Sequence, residues 1–154
     1  MTTILAVRSL GMLLCDTQGT YGTWRHQTRK AFSNGVGLYA AVGDAQDCQL
    51  FLTWVMEGMA REDKPALHES FAAVEMIASC LIGHCADKLA WEDVLEDVWA
   101  IGSGRDFALG ALCAGALPRE AMDIAARCDV YTGEPIQCFT LDKVADYPKG
   151  VWLF

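Results

Sequence analysis

This sequence is short of long apolar runs, of cations and of paired cysteines. Hydrophobic residues make up 53% of the 154 positions, yet no uninterrupted apolar stretch approaches the roughly 20 residues that a membrane-spanning helix needs. A soluble protein with no membrane partner is expected. The amino terminus shows no basic stretch followed by an apolar segment and a small-residue cleavage site, so no secretory signal is read and the cytoplasm is the expected location. Twelve Lys and Arg stand against twenty Asp and Glu, for a net charge of −8. That balance withholds the clustered positive charge on which nucleic-acid affinity rests, and only Trp24 to Lys30 is locally basic. Seven cysteines form no Cys-x-x-Cys pair, which leaves Cys80, His84 and Cys85 without the second half-site of a zinc centre. No metal and no cofactor are expected, and the thiols read as buried and free in a reducing compartment. A nucleotide-binding Gly-x-x-x-x-Gly-Lys-Ser/Thr loop, internal repeats and low-complexity tracts are all absent from the sequence.

The length suits a single domain, residues 1–154, with room for a real core. Residues 1–42 read as strands, because short apolar runs alternate with turn chemistry. Ile4 to Val7 and Met12 to Cys15 flank Ser9-Leu10-Gly11 as a hairpin. Both runs are apolar on successive residues, so both faces of their sheet should be covered. Asn34-Gly35 signals a second hairpin, between Lys30–Phe32 and Val36–Val42. A helix is expected after Gly43, with Asp44 as its cap and Asp47 in its first turn. Its apolar stripe would be Leu50, Phe51, Trp54, Val55 and Met59, ending around Asp63 to Pro65. Phe71 to Ile82 reads as a strand pair, and Trp91 to Trp99, with four acids and no base, as a solvated connection. Ala100 to Gly104 is a strand closing in a tight turn. Two small-residue helices follow, Asp106–Ala116 and Pro118–Cys128, the second with proline in its first turn. Ile136–Leu141 is a last strand, and the aromatic tail Pro148–Phe154 should be docked. This order excludes a simple parallel α/β fold and suits an α+β architecture, two sheets face to face with helices outside, a four-layer αββα sandwich.

Thr2 stands directly behind Met1. Once Met1 is removed, this residue holds a nucleophilic hydroxyl and, in its own α-amine with an ordinary pKa of about 8, a base to receive the proton. Most proteins that begin Met-Thr use the threonine for nothing chemical, so the rest of the chain must decide. Taken singly, Asp16 and Ser103 read as turn residues, Lys30 as a solvated charge beside Arg29, and Asp129 as a cap or loop acid.

Taken in order they resemble a known pattern. Thr2-Thr3-Ile4-Leu5-Ala6-Val7-Arg8 is similar to a mature HslV-type start, and Cys15 to Gly22 resembles an Asp-x-Gln-x-Thr-x-Gly segment. Lys30 is the sole lysine before Lys64. Gly43 to Cys48 resembles the opening of a first helix, Ala100 to Asp106 a Gly-Ser-Gly turn, and Asp129 to Gly133 a later Asp-x-Tyr-Ser/Thr-Gly segment. Together they resemble the proteasome β-subunit family of N-terminal-nucleophile hydrolases, and within it the HslV-type peptidases and their short phage-encoded relatives. The match is poorest from Asp63 to Val98, which leaves open a second outer helix there.

The resemblance implies that Thr2 is the nucleophile, that Asp16 and Lys30 form a charged pair beneath it, and that Ser103 and Asp129 support the amine. Gly43 would offer a backbone N–H to the oxyanion, while Thr20 and Ala45 would bind the substrate backbone as an added strand. It further implies a self-compartmentalising threonine endopeptidase of stacked homo-oligomeric rings that cleaves unfolded polypeptides, with an ATP-dependent unfoldase as a possible partner. Two other readings share the scaffold: an amidase acting on a small amide, and a catalytically silent ring protein that retains Met1.

Overall fold

The computed structural model describes residues 1–78, 80–85, 90–147 and 152–153. In chain order the strands are β1 (Thr3–Val7), β2 (Met12–Cys15), β3 (Gln18–Tyr21), β4 (Trp24–Gln27), β5 (Ala31–Ser33), β6 (Leu38–Val42), β7 (Ala72–Ile77), β8 (Cys80–Cys85), β9 (Ala90–Asp93), β10 (Val98–Gly102), β11 (Gln137–Thr140) and β12 (Trp152–Leu153). The helices are α1 (Ala45–Met56), α2 (Arg105–Cys113) and α3 (Pro118–Cys128). One antiparallel sheet runs β10-β1-β2-β11 and a second β12-β5-β6-β7-β8-β9, while β3 and β4 pair only with each other.

Successive residues of β1 point to opposite faces, and all five are buried. Ile4 and Ala6 join Leu13, Leu38, Ala40, Val74 and Met76 in a cluster shared by the two sheets. Leu5 and Val7 pack with Ala108 of α2 and Ala121, Met122 and Ala125 of α3. The far face of the six-stranded sheet, through Phe32, Tyr39, Ala41 and Ala73, packs against Phe51, Leu52, Trp54 and Val55 of α1. The doubly apolar strands expected from sequence are therefore covered on both sides. No helix of the described residues is long and apolar enough to cross a membrane.

Both sequence-read hairpins are present. The second is tied by the Asn34 side-chain oxygen, which accepts from the N–H groups of Val36 and Gly37 at 2.9 and 3.0 Å. Asp44 caps α1 by accepting from the Gln46 N–H at 2.8 Å. Phe71 to Ile82 contributes the strands β7 and β8, as expected.

Other expectations need correction. Helix α1 stops at Met56, well before Asp63, because Gly58 and Met59 both take left-handed backbone angles. Within it Leu50 is exposed and Leu52 takes its place in the core. The Trp91 to Trp99 stretch is no free connection: Ala90–Asp93 is the edge strand β9, Val98 opens β10, and Val94 between them is buried. From residue 57 to β10 the described residues hold one short 3-10 turn, Arg61–Asp63, and strands, with no second outer helix. Only Cys15 is buried; Cys48 is half-buried, and Cys80, Cys85, Cys113, Cys128 and Cys138 are exposed. In the tail, Trp152–Leu153 pairs with β5; Pro148 to Val151 and Phe154 lie outside the described residues. The β3–β4 hairpin leaves no core-facing alternation in the sequence, because its residues are polar or exposed.

Candidate functional site

The amino terminus runs into β1 at the end of the four-stranded sheet. Thr2 is 7% exposed, and its carbonyl accepts from the Ser103 N–H at 3.0 Å, extending the β1–β10 ladder past the Thr3–Gly102 pair. Gly102 has φ +99°, and a Cβ there would lie 1.7 Å from the Thr2 carbonyl oxygen. Across the turn, a Cβ on Gly104 would meet the Thr3 and Thr132 hydroxyls at 2.6 and 2.7 Å. The Gly-Ser-Gly sequence is thus required by close approach on both sides of Ser103.

Asp16 follows β2, and Lys30 precedes β5, so the gap between the two sheets brings them together. Lys30 Nζ donates to Asp16 Oδ1 and Oδ2 at 2.8 and 2.9 Å, and to the Gln18 carbonyl at 2.6 Å. The same ammonium lies 3.4 Å from the Met1 carbonyl oxygen, against the peptide bond that joins Met1 to Thr2. Asp16 is fully buried and also accepts from the backbone N–H groups of Thr3, Gln18 and Gly133 at 2.8, 3.0 and 3.2 Å. These donors and the Lys30 ammonium engage both carboxylate oxygens and fix the Asp16 side chain in place. Burial pushes the Lys30 pKa below its ordinary value, and Asp16 offsets only part of that shift.

Asp129 ends α3. Its Oδ2 accepts from Ser103 Oγ at 2.6 Å and from Thr132 Oγ1 at 2.5 Å, and its Oδ1 from the Tyr131 N–H at 3.3 Å. Burial raises its pKa, but these donors, with the charge of the terminal ammonium, outweigh burial and hold it below the ordinary carboxylate value. Thr132 passes the connection on: its hydroxyl lies 2.6 Å from Thr3 Oγ1, which accepts from the Gly104 N–H at 2.8 Å.

A cavity of about 870 Å³ opens above this floor. Met1, Thr2, Lys30, Gly43, Thr20 and Ala45 are all on its wall. Asp16, Ser103 and Asp129 sit behind that wall. The eight residues singled out from sequence thus gather around one terminus, five facing the cavity and three supporting it. Gly43 has φ +138°, and a Cβ there would press on the Phe71 backbone at 3.1 Å. Two thiols are close by, and neither is a usable nucleophile. Burial, reinforced by Asp16, pushes Cys15 up to about 12. Burial, then Asp47 and Asp44, does the same for Cys48 on the cavity wall.

Sequence reasoning missed Thr3, Thr132 and the backbone of Gln18 and Gly133. Thr132 and Gly133 stand in the Asp129–Gly133 segment itself, and Thr3 beside the expected nucleophile. The signal was present in the spacing, but the contacts that use it span 129 positions between Thr3 and Thr132.

No family model matches the sequence, and no curated protein matches it. Solved structures do resemble the fold. BPH from Thiobacillus denitrificans, in complex with epoxomicin, superposes with a TM-score of 0.67 at 20% identity, over 90% of this chain and 97% of that one. The eukaryotic HslV of Trypanosoma brucei gives 0.67 at 22% identity, over 90% and 98%. The Anbu (Gly-1) mutant from Hyphomicrobium sp. strain MC1 gives 0.66 at 12% identity, over 95% and 92%. With its paired sheets, its turn packed on the Thr2 carbonyl and its terminus at a cavity, the chain has the fold of the HslV and BPH structures.

Proposed function

We propose that the chain is a threonine endopeptidase of the proteasome β and HslV type, built as one αββα unit of residues 1–154, with Thr2 as nucleophile after removal of Met1. The observation that carries this reading is the buried Lys30 ammonium, held by Asp16 at 2.8 Å and reaching the Met1–Thr2 peptide at the cavity wall. The surrounding fold supports it independently of sequence identity.

The chemistry follows from the placement. The freed Thr2 amine takes the hydroxyl proton, and the fixed positive charge of Lys30 stabilises the alkoxide as it forms. Asp16, saturated with donors, keeps Lys30 oriented. Ser103, whose N–H meets the Thr2 carbonyl and whose hydroxyl donates to Asp129 at 2.6 Å, holds the amine together with Asp129. A substrate strand lies between Thr20 and Ala45, its scissile carbonyl near the Gly43 N–H, where a preorganised donor contributes on the order of 3 kcal/mol to the transition state. Attack forms an ester between Thr2 Oγ and the substrate acyl group and releases the amine half. Water, directed by the same α-amine, then hydrolyses the ester.

Recognition through the backbone suits unfolded polypeptides. Stacked homo-oligomeric rings in the cytoplasm would enclose the sites, and a separate ATP-dependent unfoldase would supply substrate, since this sequence holds no phosphate-binding loop of its own. Labelling with an epoxyketone such as epoxomicin tests the reading. The expected adduct maps to Thr2 and is absent from Thr2→Ala; labelling elsewhere, or intact-mass spectra showing Met1 retained throughout, would sink it.

A further inference from the structure

The three most exposed large apolar side chains among the described residues are Tyr21, Leu95 and Trp24, at 82%, 78% and 77%. Tyr21 lies on the cavity rim, whereas Trp24 and Leu95 do not line the cavity. Trp24 opens β4 at the tip of a two-stranded ribbon that joins neither sheet. Such ribbons are marginally stable alone, and all four residues of β4 are exposed. Beside Trp24 stands Arg25, also off the cavity, in the one locally basic segment of a chain with net charge −8.

Leu95 sits in the opposite electrostatic setting. Its neighbours Glu92, Asp93 and Glu96 are exposed. Its loop is held rigidly: Arg8 donates to the Val94 and Leu95 carbonyls at 3.3 and 2.7 Å, and Asp97 accepts from the Ser9 N–H and hydroxyl, each at 2.7 Å. A preorganised apolar tip costs little further ordering on binding.

Topology places the two surfaces apart. The hairpin springs from between β2 and β5, on the side where β11 and β12 end the two sheets. The Leu95 loop joins β9 to β10, the strands at the opposite ends of those sheets. A surface on one edge that matches a different surface on the other edge makes a head-to-tail contact, which closes into a ring when the rotation permits.

We propose that each copy of this chain docks Trp24 and Arg25 of its hairpin onto Leu95 and the acids Glu92 and Glu96 of the next copy. This rests on the ring reading above and assigns its contact. Trp24 and Leu95 supply the desolvated anchor, typical of the residues that dominate interfaces. The charges fix orientation and partner choice more than affinity. Docking would also brace the ribbon that carries Thr20 along the cavity.

Sedimentation velocity and native mass spectrometry of the full chain test this. Trp24→Ser and Leu95→Ser should each raise the concentration at which rings form by at least about tenfold, with unchanged circular dichroism. Arg25→Glu and Glu96→Arg should each weaken assembly alone, whereas an equimolar mixture should recover assembly, because each junction between unlike variants pairs opposite charges. Wild-type rings that persist in every variant overturn this contact and leave the ring reading standing. A wild type that stays monomeric at micromolar concentration overturns both. Intact rings of Trp24→Ser with a raised KM for peptide would assign the hairpin tip to substrate and overturn the contact.

Discussion

Two buried carboxylates, Asp16 and Glu75, each meet a nitrogen base, and only one of them belongs to a site. Glu75 in β7 accepts from Tyr39 Oη at 3.0 Å and lies 2.8 Å from His84 Nε2. The Phe51 ring stands edge-on to His84, with 5.4 Å between centroids. That cluster lies within the aromatic layer under α1, where the buried His84 Nδ1 has no hydrogen-bond partner, and none of its groups lines the cavity. Asp16 holds Lys30 just as closely, but that ammonium, which also donates to the Gln18 carbonyl, lies on the cavity wall 3.4 Å from the Met1 carbonyl oxygen. Burial of charge therefore does not mark a site by itself. Placement on a cavity wall against the chain terminus sets the Lys30 pair apart.

Substitutions around the two pairs separate their roles. Thr2→Ala should abolish peptide hydrolysis, by on the order of 10³-fold or more in kcat/KM, with the melting temperature nearly unchanged; a fluorogenic peptide assay with paired calorimetry reads both. Lys30→Met should cost on the order of 10²-fold in kcat. It should also cost about 3–5 kcal/mol in denaturant unfolding, because it leaves Asp16 charged, buried and unpaired. Adding Asp16→Asn should recover part of the stability and none of the activity, since the asparagine oxygen still accepts backbone N–H groups. If the double variant regains activity, the ammonium has no role in the chemistry.

Gly102→Ala forces a side chain into a left-handed backbone and onto the Thr2 carbonyl. A loss of more than about 2 kcal/mol is expected, together with a fall in kcat as Thr2 shifts; wild-type values for both would refute the close-approach argument. Glu75→Gln should lower stability by about 1–3 kcal/mol and leave kcat/KM within about twofold, since it removes a charge from the sealed cluster alone. A large activity loss there would erase the distinction between the two pairs.

The smallest effect concerns acid. Because the folded state holds Asp129 below its ordinary value of 3.8, the unfolded chain binds the proton first as pH falls. The stabilisation is present above that pH and fades below it. Urea-unfolding curves of wild type and Asp129→Asn should therefore differ at neutral pH and converge as pH drops below 3.8. A gap of constant size would mean that Asp129 acts through shape rather than charge.

Much of this molecule could be read along the chain. The hairpins at Leu10 and Asn34, the cap at Asp44 and the two small-residue helices depend on residues within a few positions of one another, where turn geometry and periodicity act directly. The Gly-Ser-Gly turn and the position of Lys30 could be recognised by resemblance. The β3–β4 hairpin, the early end of α1 and the β9 edge strand could not. An exposed ribbon has no core-facing pattern, left-handed residues such as Met59 follow no periodic rule, and an acidic strand reads as a solvated loop.

Residues close together in the chain settle the order of most elements, the double-sided burial of β1, β2 and β6, and the short list of candidate residues around Thr2. Tertiary structure alone decided that Asp16 and Lys30 share two hydrogen bonds, that Thr132 bridges Asp129 to Thr3, and that Glu75 is sealed while Lys30 faces open space. Those outcomes depend on how two sheets and three helices close over one another, and on which charged groups that closure leaves against a cavity.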